Sequence, residues 1–77
     1  MAQKPIDTIV GQRLSATRTA RNITQAQLAT ALGITEQQIA RYEAGTDRIP
    51  AEHLIAMCQL FRVPLADLFP RSDPPVH

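Results

Sequence analysis

A chain of 77 residues, 44% of them hydrophobic and 19% charged, is expected to form one small domain, being too short to bury two cores and too apolar for a disordered tail. Aromatic residues make up only 4% of it, so aliphatic side chains must fill the core, an inventory that suits helices. The net charge of +1 excludes a strongly basic or acidic protein, and one cysteine with two histidines excludes an internal disulfide and leaves no metal-ligand set.

Residues 1–5 carry no periodic pattern and are expected to be flexible. Asp7 is placed to cap a first helix whose inward face holds Val10, Leu14 and Thr17, running to about Arg21 or Asn22. Asn22 and Ile23 make the turn that follows. Thr24-Gln25-Ala26-Gln27 predicts a capping box, with the Thr24 hydroxyl accepting from the Gln27 amide and the Gln27 side chain returning to Thr24. The helix it opens buries Leu28, Ala29 and Leu32 and ends at Gly33, a residue that takes the left-handed conformation without a β-carbon penalty. Thr35-Glu36-Gln37-Gln38 predicts a second capping box, opening a helix that buries Ile39 and Tyr42 and stops at Gly45. Pro50 suits the first turn of a helix whose Leu54, Met57, Cys58 and Phe61 recur at i, i+3, i+4 and i+7. Pro64 opens a last short helix carrying Leu65, Leu68 and Phe69. Pro70 ends it, and the proline-rich tail 70–77 is expected to be flexible.

Two short helices joined by a glycine-containing turn of about four residues cross steeply, so that one braces a phosphate backbone while the next lies in the major groove of DNA. On the second of these helices, Glu36, Gln37, Gln38 and Arg41 are long polar side chains that packing does not need and that reach base edges. A plainer role for Arg41 is a solvated cation at the negative end of the helix dipole. The low net charge hides an uneven layout: Lys4, Arg13, Arg18 and Arg21 all precede residue 22, while acids are sparse between Asp7 and Glu36, so the front half is locally basic.

The residues Gly11-Gln12-Arg13-Leu14, Thr24-Gln25-x-x-Leu28-Ala29-x-x-Leu32-Gly33-Ile34-Thr35, Ile39-x-x-Tyr42-Glu43-x-Gly45 and Val63-Pro64-Leu65-x-x-Leu68-Phe69 resemble the Cro/phage-repressor (XRE-type) helix-turn-helix family. The match spans about residues 6–69 in spacing as well as type. The resemblance implies an all-α, five-helix, lambda-repressor-like DNA-binding domain over 6–69. It implies phosphate contacts at Arg13, Arg18, Thr24, Gln25 and Ala44, and base contacts at Gln37, Gln38 and Arg41. It also implies an Arg18–Glu43 pair that joins the first helix to the end of the third. Two positions depart from the family pattern. Ala44 stands where asparagine is usual, leaving a contact through its backbone amide, and Glu36 opens the recognition helix with a carboxylate, which repels phosphates but accepts from the amino group of cytosine.

The function implied is a sequence-specific, DNA-binding transcriptional regulator, a repressor, that reads a roughly palindromic operator on double-stranded DNA as a homodimer. Leu65, Asp67, Leu68 and Phe69 are the candidate dimer surface, since family dimers often meet there. The alternative is an antitoxin-like or adaptor module that uses the same fold to bind a protein partner. Enzyme activity is not expected, because no nucleophile with a base, paired carboxylate or phosphate-cradling glycine loop is present. Cys58 sits in an apolar stripe and reads as an inert small hydrophobe, and His53 as surface decoration. No cofactor or metal is implied, and a chain of this mass leaves little room for a ligand pocket. No apolar run approaches the roughly 20 residues that span a bilayer, and the N-terminus lacks a signal-peptide layout, so the expected place is the cytoplasm, with no membrane partner.

Overall fold

Pro5–Ala20 (α1), Gln25–Leu32 (α2), Glu36–Ala44 (α3) and Ala51–Phe61 (α4) are α-helices, followed by a 3-10 turn at Leu65–Leu68. The computed structural model describes residues 5–69, with side chains from Asp7 onward, and these contain no strand. Of the segments expected to be flexible, 1–4 and 70–77 lie outside the described residues, while Pro5 is the first residue of α1.

The helix ends show which local signals operate. α1 starts at Pro5, two residues before the expected cap, because the fixed φ of proline suits a first turn. Asp7 therefore lies inside that turn, where its carboxylate meets the positive end of the helix dipole and sits 3.5 Å from Nε of Arg48. α1 closes through Asn22, which adopts φ 59, a conformation asparagine tolerates. The capping box at α2 is complete: Thr24 Oγ1 accepts from the Gln27 amide at 3.0 Å, and Gln27 Oε1 accepts from the Thr24 amide at 2.8 Å. Gly33 then ends the helix at φ 72, and the Ile34 amide donates back to Ala29 at 3.0 Å.

At α3 only half of the expected box forms. Thr35 Oγ1 accepts from the Gln38 amide at 3.0 Å, but the Gln38 side chain turns away to Asp47, a charged acceptor and so the stronger partner. Gly45 ends α3 at φ 78. Pro50 precedes α4 as its cap residue, with no side-chain capping bond. At the other end of α4, Arg62 takes φ 60 and Arg21 Nε donates to the Phe61 carbonyl at 2.8 Å, satisfying one of the orphan acceptors of a helix C-terminus.

Val10 and Leu14 of α1, Leu28 and Ala29 of α2, Ile39 and Tyr42 of α3, and Leu54, Met57, Cys58 and Phe61 of α4 close on one core with Ile49 and Leu68. Thr17 and Leu32, expected inside, are only half-buried. Each fully buried aliphatic or aromatic side chain contributes about 1.5–3 kcal/mol by leaving water. Against α3 the backbone of α1 itself is in contact: a β-carbon at Gly11 would lie 2.4 Å from the Tyr42 carbonyl oxygen and 2.6 Å from that of Glu43. One at Gly45 would lie 2.7 Å from Cα of Thr8. Two glycines thus let α1 clamp the C-terminal end of α3. A groove of about 370 Å³, lined by Val10, Ile49, Ala51, Leu54 and Phe69 with Asp7, Asp47 and Arg48, is more room than the mass of the chain suggests and reaches the lower range of ligand sites. No described helix is long and apolar enough to cross a membrane.

Candidate nucleic-acid interface

α3 buries Ile39 and Tyr42 and exposes Glu36, Gln37, Ala40, Arg41 and Ala44, a spacing that gathers the exposed residues on one helical face. Glu36 and Gln37, at its front, are exposed. Arg41, 54% exposed, has Nη1 3.9 Å from Oδ2 of Asp47, a loose pair in high dielectric. Gln38 differs from the other three expected base contacts: it is half-buried, and its Nε2 donates to the same Asp47 oxygen at 2.9 Å. Asp47 was not among the residues singled out by sequence, because it lies beyond Gly45, outside the helix whose period drew attention.

Behind this face stands a second polar cluster. Glu43 accepts from Arg18 through Nε at 2.6 Å and Nη2 at 3.2 Å, and from Gln25 Nε2 at 2.9 Å. Arg18 also gives Nη1 to the Ile23 carbonyl at 2.7 Å. With side chains only 14% and 8% exposed, the Arg18–Glu43 pair is the expected bridge between α1 and α3, and all three guanidinium nitrogens are engaged within the protein. Gln25, an implied phosphate contact, is tied to the same carboxylate: one N–H is held by Glu43, leaving the other to donate outward. Thr24 is exposed, with its hydroxyl committed to the cap.

The remaining expected phosphate contacts stand elsewhere. The Arg13 guanidinium turns to the 3-10 turn, donating to the Phe69 carbonyl at 3.1 Å and lying 3.5 Å from that of Asp67. Ala44 is the last residue of α3, so its amide points back along the helix toward residue 40 rather than outward. Of the expected dimer residues, Leu65 and Asp67 are exposed and Phe69 is half-buried, but Leu68 is 0% exposed, inside the core of its own chain. A side chain already enclosed has no surface to offer a partner. Among the described residues, the exposed large hydrophobics are Ile55, Leu60 and Leu65.

His53 is more than surface decoration: its Nδ1 lies 3.0 Å from the Tyr42 hydroxyl, tying α4 to α3. Burial raises the Tyr42 phenol above its ordinary range, and the nearby Asp47 charge adds to the effect. Cys58 is buried, its thiol pushed up by burial and then by Asp67, which disfavours the reactive thiolate. No group of three or more histidine, cysteine or acidic side chains among the described residues could hold a metal ion.

A capped helix, a left-handed glycine turn and a second helix with an open polar face define a helix-turn-helix protein. A helix-turn-helix family model matches residues 14–68, and the chain belongs to that family, in its XRE branch. It is 43% identical over 65 residues to an HTH-type transcriptional regulator of Sinorhizobium medicae, a match covering 84% of this chain and 47% of the relative. It is 30% identical over 60 residues to the antitoxin PezA of Streptococcus pneumoniae, covering 78% of this chain and 38% of that protein. The chain thus spans about half the length, or less, of these curated relatives. Its fold is similar to that of the restriction-modification controller protein C.AhdI of Aeromonas hydrophila, with a TM-score of 0.74 at 24% identity over 80% of this chain and 94% of the other.

Proposed function

We propose that this protein is a sequence-specific DNA-binding transcriptional regulator, acting as a repressor in the cytoplasm, whose residues 6–69 form the binding domain. The observation that carries the reading is the exposed face of α3: Glu36, Gln37 and Arg41 stand clear of the core on a helix whose other side buries Ile39 and Tyr42. In this reading Gln37, Gln38 and Arg41 contact base edges, with Glu36 accepting from cytosine or excluding other bases. Gln25, through its second amide hydrogen, and Thr24 lie against the phosphate backbone at the start of α2, where unpaired helix amides favour an anion. Arg18 supports that contact by holding Glu43, and Arg13 braces the 3-10 turn.

One such module offers a small interface, so the protein binds as a homodimer on a roughly palindromic operator with half-sites about one turn apart. Ile55, Leu60 and Leu65 supply the apolar surface for pairing, with Asp67 at hand. A second reading, a module that binds a protein partner, is favoured by the likeness to the antitoxin PezA and uses the same apolar surface.

Selection from a randomised double-stranded DNA library, followed by titration of enriched sites across salt, tests the proposal. The expected result is a roughly palindromic motif whose log affinity falls steeply with log salt concentration. Weak binding with no enriched motif rejects it in favour of the protein-binding reading.

A further inference from the structure

We propose that Asp47, which lies outside the helix-turn-helix, is a positioning residue that sets the base preference of the recognition helix. This inference rests on the DNA-binding reading above. Its starting point is one atom: Asp47 Oδ2 accepts from Gln38 Nε2 at 2.9 Å and lies 3.9 Å from Arg41 Nη1. The two side chains it addresses are both on the list of base contacts. The backbone that carries the carboxylate is anchored, because the amides of Thr46 and Asp47 both point to the Arg41 carbonyl, at 3.0 and 3.4 Å. Asp47 is therefore tied by its backbone to the end of the helix whose side chains it orients.

The chemistry of the pair decides what Gln38 presents. A carboxylate only accepts, so Gln38 must turn its NH₂ group, not its carbonyl, toward Asp47. An unrestrained glutamine offers either orientation to a base; this one does not. With one hydrogen on Asp47, the amide retains a second N–H and Oε1, the donor and acceptor types that N7 and the N6 amino group of adenine require in the major groove. The negative charge also draws Arg41 toward Gln38, narrowing where its guanidinium meets a neighbouring base. The same charge repels phosphates, so Asp47 weakens binding to DNA of any sequence while sharpening the choice among sequences.

Library selection and competition titrations on the wild-type protein, Asp47→Ala and Asp47→Asn test this. Asparagine keeps the shape of the side chain but offers either an acceptor or a donor, and it serves where the alanine variant fails to fold. Both variants are expected to bind random DNA more tightly than wild type, and to lose about tenfold in discrimination at the base positions contacted by Gln38 and Arg41. In a Gln38→Ala background, Asp47→Asn should no longer alter preference at the Gln38 position. A wild-type motif that both variants retain unchanged overturns the role of Asp47 while leaving the DNA reading intact, as does uniform tightening on every sequence. A wild-type protein that enriches no motif overturns both.

Discussion

Replacing Glu43 by alanine removes the acceptor of three hydrogen bonds, two from Arg18 and one from Gln25. The Arg18 side chain is 14% exposed and that of Glu43 8%, so water reaches the stranded guanidinium poorly and the charge stays close to unpaired. Breaking a buried pair by removing one partner costs about 3–5 kcal/mol; the Ile23 carbonyl, which still accepts from Nη1 at 2.7 Å, argues for about 3. A domain of this length has roughly 4–12 kcal/mol in total at about 0.05–0.15 kcal/mol per residue, so the loss is a large fraction of what exists. At about 4–8 °C per kcal/mol for chains of this size, the melting temperature should fall by about 12–24 °C in circular dichroism melts. The double replacement Arg18→Met with Glu43→Leu removes both charges and should recover most of the loss, since apolar pairs of similar volume are often as stable as the ion pair they replace. A fall of less than about 4 °C in Glu43→Ala, or a double variant no more stable than the single one, would refute the view that this pair is a buried, mutually dependent unit.

Gly11→Ala and Gly33→Ala should both destabilise, for opposite reasons. The first forces a β-carbon onto the Tyr42 and Glu43 carbonyls and costs about 1–3 kcal/mol, whereas the second meets nothing within 4 Å but strains φ +72 by about 1–2 kcal/mol. Asparagine should rescue position 33 and not position 11, as read from urea midpoints. On selected DNA, Arg41→Ala should relax discrimination at one base position by about 1–3 kcal/mol, while Gln25→Ala should weaken all sequences alike; equal losses at every position for Arg41→Ala would remove it from the base contacts. Tyr42 is the only tyrosine, and its phenol is raised in the folded protein from the ordinary 10.0. The stability this brings is present below pH 10 and is lost as pH rises through the folded value. Tyrosinate absorbance should therefore lag in native protein relative to urea-unfolded chain, and coincident titration curves would contradict the burial.

Helix boundaries were legible wherever a local chemical rule acts alone. Thr24 with Gln27, and Gly33 and Gly45 past the helix ends, behave as their residue types require. Sequence reasoning failed where a distant group outbid the local one. Gln38 left its cap for Asp47, Arg13 reaches carbonyls more than fifty residues away, and neither choice is visible in spacing. Leu68 was misplaced for a different reason: in a turn as short as Leu65–Leu68, periodicity cannot say which apolar side chain faces home and which faces out. The left-handed Arg62 carries no residue-type signal at all. Of the candidate site, the face of α3 was readable from the sequence, while the two carboxylates that organise it, Asp47 and Glu43, were respectively missed and known only through resemblance.

The enclosure of Leu68 bears on how the chain is made. Synthesis runs from the N-terminus, and α1 to α4 emerge before the residue that completes their core. Until Leu68 arrives, its place beside the other core side chains is empty, and Arg13 lacks the Asp67 and Phe69 carbonyls it binds. A chain that stops after α4 therefore carries the whole recognition helix, already bridged to α1 by Arg18 and Glu43, without the turn that packs on α1 and α4. Released chains that end after Phe61 should therefore be less resistant to protease than chains extended to Phe69.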